Sequence, residues 1–239
     1  MLDSQKHKVH LSNILSSLYK NSQVSTNLGF KGGTACYFFY ELPRFSVDLD
    51  FDLIIPSLIL KSAKDMLIKN ITAILDKNYD VIDSSTKYNT LFWLVSYEKG
   101  QRNIKIEISV RDFPNTYEVR NFYGTSVNVL QIGDIIAHKL VAIQDRKITA
   151  NRDIFDGHFF LGSKYATAIN NEIIEFRTGL KIYDFYKSLD KFINNYKPKS
   201  ALDGLGELLD ERQKNWIRSG KMILEFNGLV QRQIEVFSI

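Results

Sequence analysis

A chain of 239 residues that is 44% hydrophobic and 13% aromatic can bury a sizeable core, enough for one large or two small globular domains. Its net charge of +4 comes without a basic tail or a dense basic block, so composition permits a nucleic-acid partner without arguing for one. Cys36 is the only cysteine, which excludes an intrachain disulfide, and the sequence carries no signal-peptide pattern and no run of about 18 apolar residues; a cytoplasmic protein with no membrane partner is expected.

In chain order, residues 9–20 place Leu11, Ile14, Leu15, Leu18 and Tyr19 at helical spacing, which predicts an amphipathic helix. The stretch around which the chain is organised follows. Gly32-Gly33-Thr34 before Ala35-Cys36-Tyr37-Phe38-Phe39-Tyr40 reads as a tight turn opening a short helix, whose unpaired amides would face an anion. Next, Val47-Asp48-Leu49-Asp50-Phe51-Asp52-Leu53 alternates with period two. As a strand it puts Val47, Leu49, Phe51 and Leu53 on one face and three carboxylates on the other. Such an acidic face is either solvated or holds cations. A phosphate cradle beside a divalent-cation site is what handling a nucleoside triphosphate with magnesium requires. The plain alternative is a solvated edge strand after an ordinary glycine turn.

Pro56 is expected to end that strand, and residues 57–77 carry a helical pattern that includes Met66, Leu67, Ile71, Ile74 and Leu75, followed by a turn at 78–80. Strands are predicted near 91–97 and 103–110, joined by a hairpin loop. In the second, Ile104, Ile106, Ile108 and Val110 face the core, leaving Glu107 opposite. It is a third carboxylate for the site if its strand lies beside Asp48 and Asp50, and an ordinary exposed Glu otherwise. From Gly133 the pattern is helical: 134–147, 151–161, 164–179, 181–195 and 200–218 with Pro198 between the last two, then 221–237 as helix or strand. The fold class expected is α/β: a small mixed sheet flanked by helices over residues 1–130, then a helical bundle over 131–239.

Other chemistries find less support. There is no P-loop pattern, and His7, His10, His138 and His158 have no zinc-type partners in sequence. The aromatic run Tyr37 to Tyr40 could stack a base, but core packing is the simpler role.

The order Gly32-Gly33-Thr34, Asp48-x-Asp50, Lys105-Ile106-Glu107-Ile108, Ala137-His138-Lys139-Leu140-Val141-Ala142 and Arg152-Asp153-Ile154-Phe155-Asp156 resembles the AbiEii-type toxin nucleotidyltransferases, within the DNA polymerase β-like superfamily. The resemblance spans about residues 25–165. Here Thr34 stands where the wider pattern has Ser, thirteen residues separate it from Asp48, and Glu107 replaces the commoner Asp.

What the resemblance implies is metal-dependent nucleotidyl transfer from an NTP, with magnesium or manganese held by Asp48 and Asp50, and by Glu107 if that residue is used. Gly32, Gly33 and Thr34 would bind the terminal phosphates, Lys139 would reach the triphosphate, Asp153 would orient or deprotonate the acceptor and Arg152 would contact phosphate. The helical domain would contribute Lys139 and Asp153 to a cleft. Judged without the resemblance, Lys139 is a solvated lysine, and Arg152 with Asp153 or Asp156 is a local ion pair at a helix start. The implied biology is the toxin of a toxin–antitoxin or abortive-infection pair, with an RNA acceptor, a tRNA end above all, and a cognate antitoxin. Two alternatives stand beside it: a nucleotidyltransferase acting on a small molecule such as an antibiotic, and a nucleotide-binding module without turnover.

Overall fold

The computed structural model describes residues 2–54, 60–146, 149–197 and 200–238, with side chains given outside 60–63. Pro56 and Pro198, expected to punctuate the chain, lie outside the described residues. The chain divides into two compact units, one of residues 1–41 and 45–130, the other of Leu42–Arg44 and 131–239.

The first unit opens with α1 (Ser4–Lys20), started by the Asp3 side chain accepting from the Lys6 amide at 3.0 Å. Its buried stripe is Leu11, Ile14, Leu15 and Leu18, as the spacing predicts. A single turn, α2 (Ser22–Ser25), leads into β1 (Leu28–Lys31), α3 (Gly32–Phe39) and β2 (Leu49–Leu53). After α4 (Leu60–Leu75) come β3 (Asp80–Lys87), β4 (Thr90–Ser96), β5 (Ile104–Ser109), β6 (Tyr117–Phe122) and β7 (Thr125–Leu130).

Among the described residues, seven strands form one mixed sheet in the order β3-β4-β5-β2-β1-β7-β6. β2 runs antiparallel to β1 and parallel to β5, which places the Asp-x-Asp segment in the middle of the sheet. Phe30, Phe51, Ile106, Ile108 and Val129 are fully buried on the core face, with the Phe30 and Phe51 rings 5.2 Å apart. The Tyr19 hydroxyl lies within hydrogen-bond distance of two carbonyls, Leu28 O (2.9 Å) and Asn128 O (3.0 Å), which ties α1 to the sheet. Cys36 is buried among this packing.

The second unit holds α5 (Ile132–Asp145), α6 (Asn151–Leu161), α7 (Asn171–Thr178), α8 (Ile182–Asn195), α9 (Glu211–Arg218) and α10 (Lys221–Val236). Gly157 lets α6 pack closely: a Cβ there would meet Phe226 at 3.0 Å and Ile143 at 3.1 Å. Two predicted helices are shorter than expected. In 164–179 only a 3-10 turn (Ala166–Ala168) precedes α7, because the Asn170 side chain caps the helix at Glu172 and the Asn170 amide bonds the Gly133 carbonyl instead. In 200–218 the stretch before α9 is a series of turns. Leu205, Leu208 and Leu209 are buried at helix-like spacing, but Gly204 sits at φ +69 and the helix starts only at the Asp210–Gln213 capping box. Residues 221–237 resolve as helix, α10. Among the described residues, no helix is long and apolar enough to cross a membrane.

Candidate active site

In the first unit the glycine turn and the acidic strand are joined by direct backbone geometry. α3 begins at Gly32 with Lys31 as its N-cap, and no side chain caps it. The first-turn amides therefore lack the usual oxygen partner, and an uncapped helix start favours an anion. Gly32 sits at φ +77, and a Cβ there would come within 2.2 Å of Asp50 Oδ2. Two separate constraints thus call for glycine: the left-handed backbone and the carboxylate pressed against it. Thr34 is fully buried and its hydroxyl donates to the Asp48 carbonyl, locking α3 to the residue before β2.

The acidic face is built by strand register. Asp50 pairs with Glu107 across the parallel β2 and β5, and with Lys31 across β1. In-register residues share a face, with strands about 4.8 Å apart, so Asp50, Glu107 and Lys31 project side by side. Asp48, Asp50 and Glu107 are each half-buried. His7 fixes the approach to this strand from α1. Its Nε2–H donates to the Val47 carbonyl (2.9 Å) while Nδ1 accepts from the Tyr97 hydroxyl (3.0 Å), an assignment that follows because a carbonyl can only accept. Burial pushes the His7 imidazole below its ordinary value, outweighing the bond to Val47, so it is held neutral.

Asp52, the third acid of the alternation, has a different environment. It is 2% exposed. Lys31 Nζ donates to its Oδ1, while Asn115 Nδ2 and the Tyr117 hydroxyl donate to Oδ2, each at 3.0 Å. Gly29 leaves room for this arrangement, since a Cβ there would fall 2.1 Å from the Tyr117 ring.

In the second unit, Lys139 on α5 donates through Nζ to Asp156 on α6. Arg44 grips the same carboxylate with both forks, Nε to Oδ1 at 2.6 Å and a terminal nitrogen to Oδ2 at 2.7 Å. Burial alone would raise the Asp156 carboxyl, but the Arg44 and Lys139 charges together outweigh it and hold it below the ordinary carboxylate range. Asp153 is 5% exposed. Arg146 Nε lies 2.8 Å from its Oδ2, yet the N–H is not aligned to donate, and that buried oxygen has no hydrogen-bond donor among the described residues. Arg152 is half-buried in the first turn of α6.

Sequence reasoning did not single out Lys31, Arg44, Asn115 or Tyr117. Lys31 was marked only by preceding the glycine pair; Arg44, Asn115 and Tyr117 carry no local pattern, because their partners lie 112, 63 and 65 residues away in the chain.

The sequence profile described as nucleotidyl transferase AbiEii toxin, type IV TA system, matches residues 13–226. The chain belongs to this family. It is a nucleotidyltransferase toxin of a type IV toxin–antitoxin system, which implies an NTP substrate and a cognate antitoxin. Among solved structures, a Helicobacter pylori protein assigned provisionally as a nucleotidyltransferase is 25% identical at a TM-score of 0.63, covering 98% of this chain and 95% of its own. JHP933 from Helicobacter pylori gives the same identity and TM-score over 99% of this chain and 94% of its own. No curated protein matches the chain.

The family implies a metal as well as a nucleotide. Among the described residues no group of three or more His, Cys, Asp and Glu side chains is placed so as to hold a metal ion. Magnesium seldom uses such a group: it takes one or two carboxylates and fills its remaining positions with water and substrate phosphate. The all-oxygen donor set of Asp48 and Asp50, beside an uncapped helix start, fits an ion completed by its substrate.

Proposed function

We propose that this toxin transfers a nucleoside monophosphate from an NTP to an RNA acceptor, a tRNA end by family likeness, by a two-metal route. The observation that supports it is the in-register placement of Asp50 beside Glu107 and against Gly32, which brings carboxylates and an uncapped helix start into one unit.

Asp48 and Asp50 would hold the magnesium ions, with Glu107 beside Asp50 as the third carboxylate. Bound there, the metal would supply activation of the acceptor hydroxyl and charge neutralisation at the leaving pyrophosphate. The chain's own groups do the rest. Gly32 and Gly33 present amides to the terminal phosphates, and Thr34 adds its amide while its hydroxyl holds Asp48 in place. Lys139 is proposed to bind the triphosphate, and Arg152 to contact phosphate. Asp153 is proposed to accept the proton of the acceptor hydroxyl. A buried carboxylate oxygen without a donor is costly, and an incoming hydroxyl would satisfy it.

The test is incubation of the purified toxin with each radiolabelled NTP, magnesium, and either total RNA, purified tRNA or an aminoglycoside. Metal-dependent label on RNA, concentrated in tRNA and abolished by chelation, is the expected result. Label on the small molecule alone, or nucleotide binding without transfer to any acceptor, would overturn the reading.

A further inference from the structure

A cation that β1 places on the acidic face, Lys31, is held there by a dedicated network. Lys31 pairs in register with Asp50, so the two side chains leave the sheet on the same side, yet its ammonium bonds the diagonal Asp52. Asp52 has both oxygens committed, one to Lys31 and the other to Asn115 and Tyr117, and is 2% exposed. It is therefore a fixed counter-ion rather than a metal ligand.

A buried ion pair is a poor source of stability, since apolar residues of similar volume do as well or better. Here two further donors and a bare Gly29, through whose missing side chain Tyr117 passes, are committed to holding one carboxylate still. What that carboxylate fixes is the position of the Lys31 ammonium. The lysine side chain remains 24% exposed, and an ammonium has three donors. Lys31 is also the N-cap of α3, one residue before the uncapped amides of Gly32 and Gly33. A tethered positive charge on a side chain that leaves the sheet beside Asp50, one residue before an amide cradle, has the chemistry to grip a polyphosphate.

We propose that Lys31 is a triphosphate-binding residue of this enzyme, and that Asp52, with Asn115 and Tyr117, is the positioning group that fixes its ammonium and holds it away from Asp50. The proposal rests on the nucleotidyl-transfer reading. It adds a phosphate contact that belongs to the sheet unit and is independent of Lys139.

The experiment measures equilibrium binding of each magnesium–NTP and of inorganic tripolyphosphate to the full chain, with KM and kcat alongside. Lys31→Met is expected to weaken binding of both ligands by on the order of 10- to 100-fold, the range for losing one hydrogen bond to a charged group, and to raise KM more than it lowers kcat. Asp52→Asn leaves the ammonium but unpins it, and should weaken binding by a smaller factor. Because Lys31→Met strands a buried carboxylate, the double variant Lys31→Met with Asp52→Asn serves as the control for folding. It should melt closer to wild type than the single variant yet bind no better. Wild-type affinity in the double variant would show the pair to be merely structural and overturn the proposal, as would unchanged affinity in a folded Lys31→Met protein. Failure of the wild-type chain to bind any NTP would instead overturn the nucleotidyl-transfer reading itself.

Discussion

In the sheet unit the candidate groups are placed by backbone. Asp50 and Glu107 are neighbours because β2 and β5 run in parallel register, and Asp50 touches Gly32 because that residue has no side chain and a left-handed φ. In the helical unit the corresponding groups are placed by charge. Lys139 is held by Asp156, which is also held by Arg44, and Asp153 lies against Arg146. The difference teaches which perturbations each unit tolerates. A site set by register survives neutralisation of a side chain with its fold intact, but not an added Cβ. A site set by buried ion pairs tolerates backbone adjustment, but not loss of a charge.

The largest expected effect tests the charge-built side. Asp156→Ala strands two cations around a position that is 0% exposed, and removing one partner of a buried pair costs about 3–5 kcal/mol, so a matching drop in the free energy of urea unfolding is predicted. A change below about 1 kcal/mol, the value of a surface pair, would mean that the cluster is not a structural centre.

Next comes the backbone-built side. Gly32→Ala must adopt φ +77 at a cost of about 1–2 kcal/mol and also displace Asp50, so nucleotidyl transfer should fall by far more than stability does. Equal activity in the variant would show that Asp50 need not stand where it does. A smaller loss is expected for Asp52→Asn, about 1–3 kcal/mol by urea unfolding, because Asn115 and Tyr117 keep partial partners while Lys31 loses its charge partner.

The smallest effect is in pH. The folded-state value of His7 is depressed by burial, so the unfolded chain takes up its proton first on acidification. Stability is then full above the ordinary histidine value of about 6.5, and falls as pH drops below it by up to about 1.4 kcal/mol per unit until the folded value is reached. His7→Gln should flatten that slope near pH 6. Asp156 has the same sign in a lower window: its folded value is lowered, so its contribution is present above the ordinary carboxylate range and is lost as pH falls through the folded value. An unfolding curve whose slope near pH 6 is the same with and without His7 would remove this account of the α1 contact.

Periodicity made the long amphipathic elements legible: α1, the alternating strands β2 and β5, and helices α5, α6 and α8, while β4 showed as a continuous apolar run. It did not announce β1, whose four residues are too few to show alternation, nor β6, an edge strand in which Val119 is exposed between charged neighbours. Leu205, Leu208 and Leu209 mimic a helix because successive turns can bury the same spacing, and only the φ of Gly204 distinguishes the two. At the site, Asp48, Asp50 and the glycine turn were visible as local patterns, and β5 was visible as a strand. That Glu107 stands next to Asp50 is a matter of register between distant strands, which local sequence does not encode. The commitment of Asp52 to Lys31 was hidden for the same reason: alternation alone makes all three acids equivalent.

The account stands on Asp50 being a reacting-site carboxylate rather than a structural one. The direct measurement is label transfer from radiolabelled NTP to RNA by Asp50→Asn, run beside its thermal unfolding. Transfer falling to background, with a melting temperature close to wild type, is the result predicted. Transfer at the wild-type rate in the folded variant would contradict it.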